Sequence, residues 1–408
     1  MSEFTPVVLS LKTTPSTELK LEVLPYGVTV NKFIVTKDGK SNDIVIGPED
    51  PKGHVTQKYV NSIVGRFSNR IPVGTHAIER KGIKGEVIAY LNEGDAVSLH
   101  GGPVGWDALP WTITTTPQLF SEAEKAQIKA LPEGSAAIFH LRSPAGDQGF
   151  PGTVDAEVLV ALVPGFGETL GSAVIVYRAK LEEPNTVTPV NLTQHWGFNL
   201  DASLQDGPVT VQEHKLTIKA DHIAELQPNS LPTHKFIPVS EVPAHAHAAK
   251  KIGEKMPHPG YDDYYLLAES LSSAALSTAP SRVPLEQLPT IDLIKDVLTP
   301  QTKAEKTIIL SGEKSDLEIA FESNQRGTMF YSNAWGDAAK GARKKAHGGS
   351  GVPNAGDAYG PGTAAFIEYH HPIAAFLDPK NKDGEDTLIT SDELYHNYVR
   401  CEVKVNAA

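Results

Sequence analysis

The sequence predicts an all-β sandwich, and two observations lead to that prediction. The 408 residues include 34 Gly and 30 Pro, which divide the chain into short segments separated by turns. Between these breaks lie short runs rich in β-branched residues, and long helical periodicities are few. Residues 215–219 (KLTIK) and 401–405 (CEVKV) alternate with the two-residue period of a half-buried strand.

Strand-like runs recur along the chain. We expect strands at residues 76–90, 157–164, 172–181, 186–200, 209–220, 307–310, 317–322, 363–369 and 394–405. All-β sandwiches often use roughly 200 to 250 residues as one unit. Because no domain boundary and no internal repeat is visible, residues 1–408 are expected to form a single domain.

Two other elements are expected between the strands. A short helix is predicted at about residues 117–131, where Pro117 could begin it and residues 121–124 (SEAE) place acidic groups early. Residues 336–362 hold eight glycines and are expected to form a long loop joining two strands. They contain no phosphate-binding G-x-x-x-x-G-K-[ST] pattern, so a nucleotide site is not favoured.

Composition excludes several classes of protein. A formal net charge of -12 argues against a nucleic-acid partner, which needs clustered Lys and Arg. The longest apolar run, residues 158–163 (VLVALV), is far too short to span a membrane, and the N-terminus has no secretory pattern. Cys401 is the only cysteine, so an intrachain disulfide is excluded. A soluble protein in the reducing cytoplasm is expected, with Cys401 packed rather than nucleophilic.

His195 is the residue that most needs an explanation, because residues 191–200 (NLTQHWGFNL) set it among aromatic and amide side chains. Structural histidines are common, so it could be a half-buried side chain satisfied by the backbone. It could also be a general acid whose pKa lies near the working pH. The neighbouring residues alone leave both interpretations open.

Glu368 lies inside residues 364–369 (AAFIEY), which suggest a mostly buried strand. Every second residue of a strand points outward, and Glu368 could be one of these. If the strand lines a pocket instead, desolvation would raise the pKa of the carboxyl group and make it a better base.

Other candidate sites are weaker. His245 with His247, and His370 with His371, lack a supporting ligand pattern such as H-E-x-x-H, so solvated loops are favoured over a metal site. No G-x-S-x-G elbow indicates a serine hydrolase.

An ordered set of short motifs resembles the aldose 1-epimerase (galactose mutarotase) family. The motifs are Asn69-Arg70, residues 100–102 (HGG), 191–200, 261–265 (YDDYY) and 364–369, in that order, with similar segments at 330–333 (FYSN) and 387–398. The resemblance implies a galactose mutarotase-like antiparallel β-sandwich. It also implies an isomerase that interconverts the α and β anomers of free aldohexoses of the glucose or galactose type, without a metal or organic cofactor.

The resemblance also implies roles for six residues. Glu368 would be the general base for the C1 hydroxyl, and His195 would be the general acid for the ring oxygen. Arg70, His100 and Asp262 would bind the sugar, with Asn69 in support. We expect the His195 and Glu368 side chains to converge on one cleft and to face each other across a gap wide enough for a pyranose ring.

Two departures and two alternatives qualify this interpretation. The chain has QHWGFN at 194–199 where the family commonly has NHSYFN, and YHHP at 369–372 replaces the usual residues after the base. Trp196 could therefore reshape the sugar pocket, which leaves the preferred sugar open. A hexose-phosphate epimerase would need clustered cations to grip a phosphate. A carbohydrate-binding protein without turnover could use the same polar residues.

Overall fold

The computed structural model of the chain describes residues 2–268, 280–299, 306–382 and 384–405. Strands dominate these ranges. They are β1 (Val7–Thr14), β2 (Thr17–Leu24), β3 (Thr29–Lys37), β4 (Lys40–Asp43), β5 (Ile63–Val64), β6 (Arg70–Pro72), β7 (Gly74–Arg80), β8 (Ile83–Ala89), β9 (Val97–Leu99), β10 (Thr112–Thr114), β11 (Ala136–Ser143), β12 (Val154–Pro164), β13 (Thr169–Leu181), β14 (Val187–Pro189), β15 (Thr193–Gln194), β16 (Trp196–Phe198), β17 (Lys215–Ile218), β18 (Ala220–Leu226), β19 (Pro232–Pro238), β20 (Lys250–Lys251), β21 (Asp262–Leu267), β22 (Arg282–Pro284), β23 (Ile308–Ser311), β24 (Leu317–Ser323), β25 (Gly327–Tyr331), β26 (Ala365–His370), β27 (Leu388–Thr390) and β28 (Glu393–Val405).

Helix is a minor component. The α-helices of the described ranges are α1 (Glu122–Ala130) and the single turn α2 (Lys295–Leu298). Helix α1 begins later than predicted, because Ser121 forms a capping box with Glu124 and leaves Pro117 outside the helix. No helix in the described part of the chain is long and apolar enough to cross a membrane.

Three larger sheets form the molecule. The largest has the order β10-β11-β12-β13-β28-β24-β23-β17-β20, and β22 also pairs with β28. A second has the order β16-β26-β25-β21-β18-β19, and β1 to β4 form a third in sequential order. Neighbouring strands run antiparallel, as in β12 with β13 and β25 with β26.

The core lies between the faces of these sheets. Phe321 of the largest sheet contacts both Trp196 and Phe198 of the second, with ring centroids 5.9 and 5.6 Å apart. Buried residues of the third sheet, including Leu19 and Leu21, belong to the same apolar cluster. The predicted antiparallel β-sandwich is therefore confirmed, and Cys401 is buried in its core as expected.

Several strand predictions need correction. Residues 76–90 form a hairpin, β7 and β8, because Lys81 and Gly82 both take positive φ in the turn between them. Residues 186–200 form three short strands that pair in turn with β27, β5 and β26. Of residues 209–220 only β17 and the first residue of β18 are strand, and the third sheet was not predicted. The long loop at residues 336–362 does join two strands, β25 and β26.

Candidate active site

All six residues singled out by the resemblance line one cleft of about 350 Å³. They are Asn69, Arg70, His100, His195, Asp262 and Glu368. The cleft lies over the second sheet, at the end where β16, β26, β25 and β21 are adjacent. The sequence scatters these residues over about three quarters of the chain, and the sheet brings them together.

Strand register places His195 beside Glu368. Trp196 pairs with Ile367 in the antiparallel ladder of β16 and β26. The residue before Trp196, His195, therefore lies opposite the residue after Ile367, Glu368. His195 Nε2 lies 3.1 Å from Glu368 Oε1, and both side chains are buried. The expected gap between them is therefore wrong, because cross-strand partners on one face of a sheet are in contact.

The alternation of β16 separates the cleft from the core. Trp196 and Phe198 point into the core, where they pack on Phe321. Gly197 points toward the cleft side, where a Cβ atom would lie 2.6 Å from the Phe366 ring. Trp196 thus does not line the cleft, contrary to the expectation that it could reshape the pocket. Because Gly197 has no side chain, the Phe366 ring can lie beside His195.

Arg70 is held by two carboxylates at one side of the cleft. Its Nε and Nη2 donate to Glu93 at 2.7 and 3.2 Å, and Nη2 also donates to Asp262 at 3.3 Å. Asp262 pairs with Tyr331 in the ladder of β21 and β25, which points its side chain to the same face as Glu368. Burial raises the pKa of Asp262, although the charge of Arg70 opposes the shift.

His100 is held by backbone geometry. Its Nδ1 accepts a hydrogen bond from the Asn69 backbone N–H at 3.2 Å. Gly101 follows at φ +85°, and a Cβ there would lie 2.2 Å from the Gly65 carbonyl oxygen. The HGG sequence therefore reflects a turn that only glycine can make at its second position. Burial, together with the charges of His195 and Arg70, holds the pKa of His100 well below its usual range.

Several residues that line the cleft have a left-handed backbone. Tyr59, Asn69, His100 and Asn333 all line it, and their φ angles are +67°, +67°, +52° and +56°. Asparagine and histidine adopt this left-handed region more readily than most residues, whereas a bulky tyrosine rarely does. Strain of this kind clusters at functional sites, where the surrounding structure maintains it.

Aromatic rings form one wall of the cleft, and most of them were not predicted as site residues. The His195 and Phe366 ring centroids are 5.0 Å apart, and those of Phe366 and Tyr331 are 5.4 Å apart. Tyr331 Oη in turn accepts the backbone N–H of Trp335 at 3.0 Å. Only the FYSN segment, similar to the family's strand before the glycine-rich loop, gave a sequence signal here. Tyr59 and Glu93 had none.

The protonation of the His195 and Glu368 pair is set by burial. Burial lowers the pKa of His195 to about 4, with smaller contributions in the same direction from the charges of His370 and Arg70. Burial raises the pKa of Glu368 to about 8, with the charge of Asp262 acting in the same direction and that of Arg70 opposing it. Burial therefore favours the uncharged form of both groups, with the shared proton on Glu368 rather than on His195.

Two further properties of the pair concern ligands. His195 Nδ1 and Glu368 Oε2 are buried and have no hydrogen-bond partner among the described residues. Together with His100, the pair also forms the group of metal-ligand side chains found in the described ranges, with ligand atoms within 4.8 Å of one another. A hydroxyl-rich ligand or a divalent cation would both find partners here.

The other histidine pairs are not solvated, which corrects the sequence interpretation. His245 Nδ1 and His247 Nε2 both contact the Tyr265 hydroxyl, at 2.9 and 3.0 Å, and His247 is buried. His370 and His371 are buried as well. These histidines belong to the packed interior, where burial lowers the pKa of His245 to about 4 and of His247 to about 3.

Comparisons with known proteins agree with the architecture. A family model described as aldose 1-epimerase matches residues 10–354, a range that ends before Glu368. The chain is 31% identical to the galactose mutarotase of Bos taurus over 229 residues, which cover 56% of this chain and 53% of that protein. It is 29% identical to the aldose 1-epimerase of Escherichia coli K12 over 212 residues, 52% of each chain. The chain thus spans about half the length of these curated relatives.

Solved structures extend the similarity of fold over nearly the whole chain. The GalM/aldose epimerase homologue from C. elegans superposes with a TM-score of 0.68 at 18% identity, covering 98% of this chain and 99% of that one. The galactose 1-epimerase from Lactobacillus acidophilus gives 0.64 at 17% identity, covering 98% and 94%. At these identities the likeness concerns the fold alone. With the match of the family model over most of the 408 residues, these findings identify the chain as a member of the aldose 1-epimerase family.

Proposed function

We propose that this protein is an aldose 1-epimerase that interconverts the α and β anomers of free aldohexoses of the glucose or galactose type. The observation that carries the proposal is the His195 and Glu368 pair, joined at 3.1 Å at the buried floor of a cleft. Ring opening of a sugar requires one group that takes a proton and one that gives a proton. A singly protonated pair supplies both.

The contact geometry suits the reaction. The ring oxygen and the anomeric hydroxyl are both bonded to C1, so an acid and a base that serve them must lie side by side. In the proposed mechanism the shared proton first passes from Glu368 to His195 Nε2. Glu368 then takes the proton of the C1 hydroxyl while His195 protonates the ring oxygen, and the bond between C1 and the ring oxygen breaks to give the aldehyde. Rotation about the C1–C2 bond and the reverse transfers close the ring on the other face.

Ring opening returns the pair to the protonation state that it has at rest. After ring opening Glu368 is protonated and His195 is neutral, which is the protonation state that the two shifted pKa values favour. We infer that Arg70, His100 and Asp262, supported by Asn69, bind the sugar hydroxyls. The aromatic wall of the cleft would cover the apolar face of the ring.

Polarimetry of freshly dissolved α-D-glucose and α-D-galactose tests the proposal. Glu368→Gln removes the base while keeping the side-chain shape, so we expect turnover to fall by about 10²- to 10⁴-fold. His195→Asn should cause a comparable loss, and the double variant should lose less than the product of the two because the groups act as one unit. Thermal melting must first show that each variant is folded. Near wild-type turnover by folded Glu368→Gln would contradict the assignment of the base.

The alternatives have distinct outcomes in the same assay. A binding protein without turnover would bind sugar in equilibrium dialysis and leave the rate of mutarotation at the buffer value. A hexose-phosphate epimerase would prefer glucose 6-phosphate, but Arg70 is already engaged by Glu93 and Asp262. A metal-dependent reaction would be lost on incubation with EDTA and restored by Zn²⁺, whereas the acid–base mechanism predicts no effect of the chelator.

A further inference from the structure

His195 lies at the junction of two separate strand ladders. Gln194 ends β15, which pairs with β5, and Trp196 begins β16, which pairs with β26. His195 itself belongs to neither strand. Its backbone N–H donates to the Ser62 carbonyl at 2.9 Å, and its carbonyl accepts the Asn61 N–H at 2.8 Å. The chain thus passes from one ladder to the other at the residue that contacts Glu368.

Asn61 completes the outer edge of β16 beside this junction. Its Oδ1 accepts the Gly197 N–H at 2.8 Å, and the Ile46 N–H donates to the Gly197 carbonyl at 2.9 Å. Asn61 Nδ2 donates in turn to the Ile46 carbonyl at 2.6 Å, which closes a ring of three hydrogen bonds. Because β16 is the edge strand of the second sheet, the asparagine side chain takes the place of a neighbouring strand there.

The backbone of Asn61 is bonded as fully as its side chain. Its carbonyl accepts the Val30 N–H at 2.9 Å and also accepts a hydrogen bond from Gln194 Nε2. The residue is completely buried and has φ +62°, in the left-handed region that asparagine tolerates. Three of its hydrogen bonds go to residues 194, 195 and 197, so Asn61 holds the segment that carries His195.

The His195 imidazole depends on this support from its backbone. Its Nε2 contacts Glu368, and its Nδ1 has no hydrogen-bond partner among the described residues. No second hydrogen bond therefore fixes the ring within the described part of the chain. Among the described residues that line the cleft, Tyr59 is present and Asn61 is not, so Asn61 reaches the site only through His195.

We propose that Asn61 is a positioning residue, which completes the edge of β16 and so fixes the His195 imidazole at hydrogen-bonding distance from Glu368. The catalytic consequence rests on the proposed function. The effect of Asn61 on the surroundings of His195 does not.

Asn61→Gly tests the inference, because glycine keeps the left-handed backbone and its hydrogen bonds but removes both side-chain bonds. We expect kcat for mutarotation of glucose to fall by about 10- to 100-fold, since a misplacement of about 1 Å costs up to about 10²-fold. KM should stay within about twofold of wild type, because Arg70 and His100 keep their own contacts.

Asn199→Ala is the matched control. Asn199 is also buried and directly follows β16, and its side chain donates to the Thr363 carbonyl at 2.8 Å and accepts the Asp201 N–H at 3.2 Å. Both variants should lower the urea midpoint, because both lose buried hydrogen bonds. Only Asn61→Gly should lower kcat, and Asn199→Ala should keep it within about twofold.

Gln194→Met is a milder variant of the same contact. It removes the side-chain bond to Asn61, while the Val30 N–H still satisfies the Asn61 carbonyl. The kcat should fall in the same direction as in Asn61→Gly, by a smaller factor.

Titration of the His195 imidazole supplies a readout independent of turnover. Loss of the Asn61 side chain admits water to the junction, so the pKa of His195 should rise from about 4 toward its ordinary value of about 6.5. Proton–nitrogen NMR measures it, with the resonance assigned by its absence from His195→Asn protein. The acid limb of kcat/KM should move the same way, and Asn199→Ala should shift neither.

The outcomes separate this inference from the proposed function. If the wild-type protein accelerates mutarotation of no sugar, the proposed function fails, and the NMR titration still decides whether Asn61 positions His195. If folded Asn61→Gly keeps the kcat and the His195 titration of wild type, or if Asn199→Ala changes both equally, the inference is wrong. Should Asn61→Gly not fold, folded Gln194→Met with the kcat and titration of wild type would overturn it.

Discussion

Glu368 combines two requirements that conflict in most proteins. Its carboxyl group must be buried to contact His195 at the floor of the cleft, yet it must also ionise during the proposed reaction. Burial raises its pKa to about 8, and the positive charge of Arg70 limits this shift. Burial therefore favours the neutral carboxyl group in the resting protein, and this group holds the proton that the proposed reaction moves.

The pH dependence of kcat/KM should follow the two pKa values of the pair. As pH falls through about 4, His195 becomes protonated while Glu368 is already protonated, so no base remains. As pH rises through about 8, Glu368 loses the only shared proton and no acid remains. A bell-shaped profile with limbs near pH 4 and pH 8 is expected. The two apparent pKa values describe the coupled pair and not either residue alone. Polarimetry between pH 3 and pH 10, with the buffer-catalysed rate subtracted, measures it. A flat profile across both limbs would exclude this pair as the acid and base.

Glu368→Gln should stabilise the fold at alkaline pH while it inactivates the protein. The folded pKa of about 8 lies above the unfolded value, so the contribution of Glu368 to stability is fully present below about pH 4 and lost as pH rises through 8. Gln does not titrate, so the variant should gain a few kcal/mol over wild type between pH 5 and pH 9, at about 1.4 kcal/mol per pKa unit. Urea unfolding at these two pH values measures the difference. If the stability of the variant changes between pH 5 and pH 9 as much as that of wild type, the carboxyl group is not protonated in the folded state.

At the scale of elements, one buried lysine attaches the long loop at residues 336–362 to the rest of the fold. Lys344 of this loop is buried, and its Nζ donates to the Asn31 carbonyl at 2.6 Å, to Asp43 Oδ2 at 2.7 Å and to the Val45 carbonyl at 2.8 Å. All three donors of the ammonium group are used. The loop between β25 and β26 is thereby attached to the third sheet at β3 and the end of β4.

Lys344→Met should destabilise the protein by about 3 to 5 kcal/mol, because it leaves the buried carboxylate of Asp43 without its cation. Lys340→Met is the control in the same loop. Lys340 pairs with Asp337 at the surface, with 84% of its side chain exposed, and its loss should change stability by less than about 0.5 kcal/mol. Equal effects of the two substitutions in urea unfolding would show that Lys344 does not hold the loop.

The elements also show which features the sequence could predict. Strand-like runs, several of them with the two-residue alternation, predicted β12, β13, β24, β26 and β28 within a few residues. They placed Glu368 on a buried strand, and the motifs identified His195. The same alternation is present in residues 17–24, so this strand of the third sheet could have been predicted from the sequence. Residues 186–200 were different, because three separate partner strands divide an otherwise continuous extended segment.

The geometry of the site was less predictable than its composition. The contact between His195 and Glu368 depends on the register of β16 against β26, which no local pattern encodes. Tyr59 and Glu93 enter the cleft from turns and loops, where alternation gives no signal. His245 and His247 were assigned to solvent, but the hydroxyl group of Tyr265 satisfies both in the interior.

At the scale of the whole molecule, β28 joins distant parts of the chain. It pairs with β13 on one side and with β24 and β22 on the other. The C-terminal strand therefore closes the largest sheet between segments that are more than a hundred residues apart in sequence. That residues 1–408 form one domain stays a prediction, and a single cooperative transition observed alike by fluorescence and circular dichroism would support it.

Val399→Pro should prevent stable folding. Val399 is buried in β28 and lies opposite Ile175 and Ser323, so proline would remove an N–H from the middle of the sheet. Val8→Pro is the matched control in edge strand β1. The Ser10 N–H points away from β2 to the Gly134 carbonyl, so the Val8 N–H two residues earlier also points away from the ladder. Soluble yield and urea midpoints compare the two variants, and equal tolerance of both prolines would contradict the central role of β28.

The contact between His195 and Glu368 is set by the ladder of two strands and not by the loops around them. A slip of β16 by one residue against β26 would exchange its two faces. Trp196 and Phe198 would then obstruct the cleft, and His195 would enter the apolar interior. Such a misfolded chain would keep most of its backbone hydrogen bonds and look native by circular dichroism. Under the proposed mechanism, the return of mutarotase activity during refolding is therefore a gauge of correct strand pairing that spectroscopic recovery alone does not provide.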